Sequence, residues 1–222
     1  MRKKSVILLS GGLDSAANLA FCREFDQPIL ALTINYGQMA AMREIEAAKK
    51  LSDFYDVRHE VIEAPWLGRL GGNALTDSSR ALPQPEINDL DQIDAAHKTA
   101  KAVWVPNRNG VLIHIASSYA ESMSAEHVVV GFNREEAATF PDNSMEYLDC
   151  VNGALALSTS NGVKVHCYTG TLNKAEIVGE LAKLKPAFPM GLIWSCYLGG
   201  DQPCGRCESC QRMTRALREQ PA

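Results

Sequence analysis

The sequence predicts an α/β fold in which helices cover both faces of a parallel sheet, closed at its C-terminal end by a small four-cysteine knuckle. Three observations carry this expectation. A short apolar run, Ser5-Val6-Ile7-Leu8-Leu9, is cut off by Ser10-Gly11-Gly12, as expected of a strand buried on both faces. Apolar segments of strand length then alternate with longer segments of helical period, the pattern of βαβ units with right-handed crossovers. Near the end, Cys196, Cys204, Cys207 and Cys210 crowd into one polar, glycine-rich stretch.

The elements follow in order. After the first strand, residues 13–25 carry Leu13, Ala16, Ala17, Ala20 and Phe21 at helical spacing, and Asp26-Gln27-Pro28 ends the pattern. Residues 29–34 read as the second strand, 38–52 as a helix with Ile45, Ala48 and Leu51 on one face, and 57–62 as the third strand. Residues 63–106 break the rhythm. Gly68, Gly71, Gly72, Pro83 and Pro85 punctuate them, Asp89, Asp91 and Asp94 lie nearby, and the stretch is expected to be an excursion or lid over the site rather than a second domain. Residues 110–123 are expected to be a helix, and 127–130 a strand ending at Gly131. Helices over 143–157 and 174–184 flank a strand over 163–167, and Pro186-Ala187-Phe188-Pro189 closes the regular part.

Composition narrows the class. A chain of 222 residues with 46% hydrophobic and 22% charged residues can bury an ordinary core, which excludes disordered and fibrous classes. The formal net charge of -4 argues against a broad basic surface for nucleic acid and favours a small-molecule substrate. No apolar run approaches the roughly 18 residues of a membrane span, and the start Met1-Arg2-Lys3-Lys4 leads into a run too short for a signal peptide. An odd total of 7 cysteines, four of them clustered, points to a metal site in a reducing compartment, so a cytoplasmic protein is expected.

The first strand ends in a segment suited to phosphate. Several backbone N–H donors must converge on such an anion, and glycines let the backbone come close enough. A helix starting directly afterwards adds free N–H groups and the positive end of its dipole. Ser10 and Ser15 contribute hydroxyls, and Asp14 suits a phosphate loop if it binds Mg²⁺ or holds loop amides in place. Neither GxxxxGK[ST] nor GxGxxG occurs after the first strand. Spacing alone is also compatible with a plain tight turn between strand and helix.

Ser10-Gly11-Gly12-Leu13-Asp14-Ser15, placed behind a first apolar strand, resembles the SGGxDS signature of the PP-loop ATP pyrophosphatase superfamily. Its members include GMP synthetase, asparagine synthetase, tRNA thiolation enzymes and 7-cyano-7-deazaguanine synthases. The resemblance implies a Rossmann-like (adenine nucleotide alpha hydrolase-like) sheet, ATP with Mg²⁺ as cosubstrate, and nucleotide contacts from Leu9, Ser10, Gly11, Gly12, Leu13, Asp14, Ser15, Ala16 and Gly131.

The spacing Cys196-x7-Cys204-x2-Cys207-x2-Cys210 offers four thiolates, enough to close a tetrahedral Zn²⁺ shell in a structural site. Arg206 and Arg212 would partly offset its charge. Four cysteines suit an iron-sulfur cluster as well.

A PP-loop joined to such a knuckle in a short chain resembles the 7-cyano-7-deazaguanine synthase family almost end to end. Asn35-Tyr36-Gly37-Gln38 resembles its tyrosine-and-glutamine turn, Asn73-Ala74-Leu75-Thr76 its NALT segment, and Val105-Pro106-Asn107-Arg108-Asn109 its VPGRN. Leu172-Asn173-Lys174-Ala175-Glu176 resembles its lysine-bearing helix start, and Ser195-Cys196-Tyr197 its TCY. There are departures. Leu13 replaces the glutamine of the common SGGQDS, Asn107 replaces the glycine of VPGRN, and Met39 and Ala40 stand where many members have Arg and His. Residues 131–144 keep Pro141-Asp142 but lack the family's Cys-Glu-Thr-Asp and Asp-Cys-Arg.

The resemblance implies ATP-dependent conversion of 7-carboxy-7-deazaguanine and ammonia to the nitrile, in a homodimer. It implies catalytic roles for Asp14, Ser15, Lys174 and Arg108, and substrate contacts from Gln38, Arg134, Glu135, Glu136, Phe140 and Asp142. Residues 1–190 would be the nucleotide-binding and synthase domain, with 63–106 as its lid, and 191–222 the zinc-binding segment of the same domain. Two other readings are compatible with the residues: thiolation of a tRNA base, and a deazaguanine-recognising relative with a protein acceptor. His59, His97, His114, His127 and His166 show no ligand spacing and read as surface or packing residues, and Trp66 and Trp104 read as core.

Overall fold

Strand side chains alternate between two faces, and that alternation sorts the core into two halves. The computed structural model describes residues 2–90 and 92–219. Five strands, β1 (Lys4–Leu8), β2 (Gln27–Asn35), β3 (His59–Glu63), β4 (His127–Val129) and β5 (Lys164–His166), pair in parallel in the spatial order β3-β2-β1-β4-β5. Ile7, Leu9, Ala31 and Val129 face one layer of helices: α1 (Leu13–Phe25), α2 (Ala41–Phe54) and α8 (Lys174–Leu181). Val6, Leu30, Leu32, Val128 and Val165 face the other layer, built from α5 (Arg108–Ser122) and α7 (Met145–Ser158).

The chain steps outward from β1 to β3, then crosses back past β1 to β4 and β5. Its connecting helices change face where its direction reverses, as crossovers of a single hand require. Loops leaving β1 and β4 therefore diverge, which opens a crevice at the carboxyl end of the sheet.

Element boundaries follow local hydrogen bonds. The helix expected from Gln38 starts at Ala41, because the Gln38 side chain folds back to donate to Ile34 O at 3.3 Å and accept from Tyr36 N at 3.0 Å, which holds a turn there. The helix expected over 143–157 starts at Met145, capped by Ser144 Oγ accepting from Tyr147 N at 3.0 Å. Asn107 precedes α5 with φ 49° and ψ 30°, the left-handed conformation. Glycine takes it without cost and asparagine tolerates it better than most residues, which explains the Asn in place of Gly.

The excursion over 63–106 contains more structure than its punctuation suggests. Short α3 (Pro65–Gly68), a 3-10 turn at Ile87–Asp89 and α4 (Ile93–Val103) lie within it, with Ala100 and Val103 buried. Asp91 lies outside the described residues, as do the last three of segment 191–222. Ala74 N donates to Ala102 O and Met39 N to Leu75 O, both at 2.8 Å, so Asn73-Ala74-Leu75-Thr76 is pinned between α4 and the turn before α2. Short α6 (Arg134–Ala137) follows β4, and α9 (Glu208–Arg218) ends the described chain with Ala216 in the core of the first face.

Beside α1, Asp26 Oδ2 accepts from Ser5 Oγ at 3.1 Å and Tyr168 OH at 3.2 Å and lies 2.6 Å from His127 Nδ1. Burial works against the charge, but the hydrogen bonds from His127, Ser5 and Tyr168 outweigh it and hold the carboxyl below its ordinary value of 3.8. A depressed carboxylate stabilises the fold above its unfolded pKa, and that contribution is lost as pH falls through the folded value. Asp26→Asn is therefore expected to melt several degrees lower at neutral pH, the scale of about 1.5–3 kcal/mol for hydrogen bonds to a charged group. Thermal melts from about pH 7 down to about pH 3 should show the gap closing only below the ordinary carboxylate value.

Candidate active site

The crevice at the ends of β1 and β4 is a cavity of about 250 Å³. Its floor is the loop from Ser10 to Ser15. Gly11 has φ +80°, and a Cβ there would lie 2.7 Å from Glu44 O. A Cβ on Gly131 would lie 2.5 Å from both the Cα and N of Ser15. Backbone thus meets backbone on both sides of the loop, and only glycine permits it.

Within the loop, Ser15 Oγ accepts from Ser10 N at 3.2 Å, donates to Gly12 O at 3.1 Å, and lies 3.0 Å from Ser10 Oγ. Helix α1 begins at Leu13 with no side chain capping it, and among the described residues the amides of Asp14 and Ser15 donate to no protein group. These amides, the dipole of a 13-residue helix and two hydroxyls face one wall, an arrangement that binds anionic oxygens. Leu9, Ser10, Gly12, Leu13, Asp14, Ser15 and Gly131 line the cavity, while Gly11 and Ala16 pack behind it. The Leu13 side chain is buried in the core, so this loop is held without a polar group at that position.

Opposite the loop, α8 delivers Lys174. Asn173 Oδ1 accepts from Glu176 N at 2.8 Å and Glu176 Oε2 accepts from Asn173 N at 2.7 Å, a reciprocal cap that fixes the helix start. Lys174 is only 6% exposed, and its Nζ lies 2.5 Å from Asp14 Oδ2 and 3.0 Å from Glu136 Oε1. Burial alone would lower the Lys174 pKa, but the two carboxylates outweigh it and raise it above 10.5, so the cation persists at neutral pH. Burial pushes the Asp14 carboxyl up against the pull of Lys174, whereas for Glu136 the pull of Lys174 wins over burial and holds it down. Asp14 Oδ1 is enclosed without a hydrogen-bond partner among the described residues, an arrangement suited to a cation ligand.

The far wall carries Arg108, which donates to Tyr36 OH at 3.3 Å. Burial works against its charge, but Tyr36 and then Asp142 favour it. Gln38 reaches Glu44 Oε2 at 2.7 Å, and burial raises the Glu44 carboxyl. Phe140 lines the cavity and stacks on Trp104, with ring centroids 6.2 Å apart and planes 4° from parallel. Trp104 at 39% and Trp66 at 48% exposure correct the expectation that both are core.

Three consecutive residues of α6 go to different places. Glu136 lines the cavity. Glu135 turns from it to accept from Arg212 at 3.1 Å and Arg215 at 2.8 Å. Arg134 is 57% exposed and bonds Glu176 and Thr171 O on the surface. Asp142 lies behind the lining, with Oδ1 enclosed and its carboxyl raised by burial. Sequence reasoning assigned no role to Tyr36, Glu44, Asn143, Ser195, Tyr197 or Glu208, all of which line the cavity. Tyr36, Ser195 and Tyr197 stood inside the quoted motifs, which was the available signal; Glu44 and Glu208 carried none.

The four cysteine sulfurs lie within 4.8 Å of one another. Cys204 Sγ and Cys210 Sγ are 4.0 Å apart, far beyond the roughly 2.05 Å of a disulfide. Leu198 N and Cys204 N each donate to Cys196 Sγ at 3.3 Å, and Cys207 N donates to Cys204 Sγ at 3.3 Å. The group can hold a metal ion. The segment entering it touches the loop from Ser10 to Ser15: Trp194 N donates to Gly11 O at 2.8 Å, and Ser195 Oγ accepts from Leu13 N at 3.3 Å.

A family model described as "Queuosine biosynthesis protein QueC" matches residues 4–220. A curated relative from Desulforamulus reducens is 54% identical over 96% of this chain and 92% of its own length. Relatives from Desulforudis audaxviator and Methanosarcina mazei are 51% and 44% identical, each over 97% of this chain and over 96% and 94% of their own lengths. All three are named 7-cyano-7-deazaguanine synthase.

Gly131→Ala tests the close approach. The added carbon meets backbone, which cannot step aside, so Mg-ATP binding measured by calorimetry is expected to fall at least about tenfold while far-ultraviolet dichroism stays unchanged.

Proposed function

The chain belongs to the queuosine biosynthesis protein QueC family, and on that premise we propose that it is a 7-cyano-7-deazaguanine synthase, converting 7-carboxy-7-deazaguanine and ammonia to the nitrile with cleavage of ATP to AMP and diphosphate. The observation that carries the reading is the juxtaposition of a helix-backed anion loop with a buried lysine across one cavity. A carboxylate is a poor electrophile. Its oxygen attacks the α-phosphorus of ATP, diphosphate leaves, and the carbonyl gains AMP as a leaving group. Ammonia then displaces AMP to give an amide. The amide oxygen attacks a second ATP in the same way with departure of diphosphate, and the adenylated imidate then loses AMP and both protons of its nitrogen to leave the nitrile.

Such chemistry needs positioning and charge stabilisation more than covalent help from the protein. The amides of Asp14 and Ser15 and the hydroxyls of Ser10 and Ser15 cradle phosphate oxygens. Lys174 meets the negative charge that develops on departing diphosphate, and Arg108 supplies a second cation from the far wall. Asp14 serves Mg²⁺, a role its unpartnered oxygen supports. Phe140 and Gln38 line the cavity and contact the base ring in this reading, and Glu136 keeps Lys174 aimed.

The metal is Zn²⁺, held by Cys196, Cys204, Cys207 and Cys210 as a closed shell; the 4.0 Å between the Cys204 and Cys210 sulfurs, with all four within 4.8 Å, suits bonds of about 2.3 Å. Zinc supplies rigidity, bracing the segment that carries Ser195 and Tyr197 to the loop. Among the described residues no helix is long and apolar enough to cross a membrane, and reduced cysteines suit the cytoplasm. The protein acts as a homodimer, a reading supported by the exposed apolar face of α7 at Cys150, Gly153, Ala154 and Leu157.

Incubation with ATP, ammonia and 7-carboxy-7-deazaguanine is expected to yield the nitrile by mass spectrometry with about two AMP per nitrile, and absence of both products would overturn the assignment. Asp14→Ala and Ser15→Ala should each lower kcat by about 100-fold or more, with the fold intact by dichroism. Protein purified without oxygen is expected to carry one zinc per chain and to lack a broad visible band; a band from iron and sulfide would reverse the metal assignment.

A further inference from the structure

Lys174 is held by its side chain and also by its own backbone. Its Nζ reaches Glu136, and its N–H donates to Oε1 of the neighbouring Glu135 at 3.0 Å. The other oxygen of Glu135 accepts from Arg212 at 3.1 Å and Arg215 at 2.8 Å, both on α9. Arg212 is 4% exposed, and its remaining donors reach Glu208 Oε1 at 3.0 Å and Leu90 O at 3.1 Å. Cys207 is the residue just before the first turn of α9 and Cys210 lies in that turn, so the cysteine knuckle sets where Arg212 stands.

We propose that Glu135 is a positioning residue for the proposed adenylation: it couples α9 to the start of α8 and so sets the place of the Lys174 ammonium against the phosphate loop. The two acidic neighbours on α6 then divide the work, Glu136 aiming the side chain from inside the cavity and Glu135 fixing the backbone from outside it. A one-turn helix such as Arg134–Ala137 has little stability of its own, so its place depends on what its side chains grip. A bidentate carboxylate shared by two guanidiniums and a helix N-terminus is a strong grip.

This inference rests on the reading of Lys174 as a phosphate-binding cation, and the test separates the two. Mg-ATP affinity is measured by calorimetry on zinc-loaded protein for Lys174→Met, Glu135→Gln, Arg212→Lys and the Glu135→Gln/Arg212→Lys double variant. Each of the three single changes is expected to weaken affinity about tenfold, and the double variant to be no weaker than its worse parent, because both changes cut one connection. Zinc content and the KM for 7-carboxy-7-deazaguanine should be unchanged in Glu135→Gln, which a general loss of structure would not allow. Unchanged affinity in Lys174→Met would overturn the phosphate role of Lys174 and this inference with it. A weakened Lys174→Met beside an unchanged Glu135→Gln would overturn the inference alone. So would losses that multiply in the double variant, the signature of Arg212 touching phosphate independently.

Discussion

A lysine ammonium 6% exposed is an expensive thing to keep charged, and much of the architecture around the cavity follows from keeping it so. Lys174 stays protonated because Asp14 and Glu136 stand 2.5 and 3.0 Å away. Those partners come from α1 and α6, and the lysine from α8, so three elements distant in sequence converge on one charge. The sheet order makes this possible: β1 and β4 are neighbours, and the loops that leave them open toward the same crevice.

The second constraint is steric. Gly11 lets the loop pass within 2.7 Å of Glu44 O, measured from where a side-chain carbon would begin, and Gly131 lets the exit of β4 approach Ser15 at 2.5 Å. With no side chain at either place, Asp14 and Ser15 of the first turn of α1 line one cavity with Glu136 and Lys174. Charge is set by Lys174, Asp14 and Glu136 and shape by Gly11 and Gly131, all around one loop. The cysteine knuckle belongs to this site as much as to the C-terminal segment, since the residues just before it bond Gly11 O and Leu13 N.

Membership of the QueC family explains the order of motifs along the chain, and the structure explains some of their departures. Asn107 stands in place of glycine because the position needs left-handed backbone, which asparagine adopts more readily than other side-chain-bearing residues. Leu13, in place of glutamine, buries its side chain in the core, while its N–H meets Ser195 Oγ. Both changes keep the backbone geometry that the site uses.

Periodicity and spacing by themselves determined the parallel α/β sheet, the loop after β1 and the four-cysteine group, because each is written in residues close together in sequence. They could not resolve Arg134, Glu135 and Glu136. Three polar neighbours in a one-turn helix point in three directions, and only packing against α8 and α9 decides which one meets the cavity. Nor did they reveal α4, whose alanines carry a weak apolar signal among turn residues. Ser195 and Tyr197 sat in a recognised motif without a visible task, for they join the cavity only when the chain closes back on itself some 180 residues later, as the Leu13 to Ser195 hydrogen bond records. Local sequence sets the backbone that can hold phosphate; the long-range fold decides which side chains surround it.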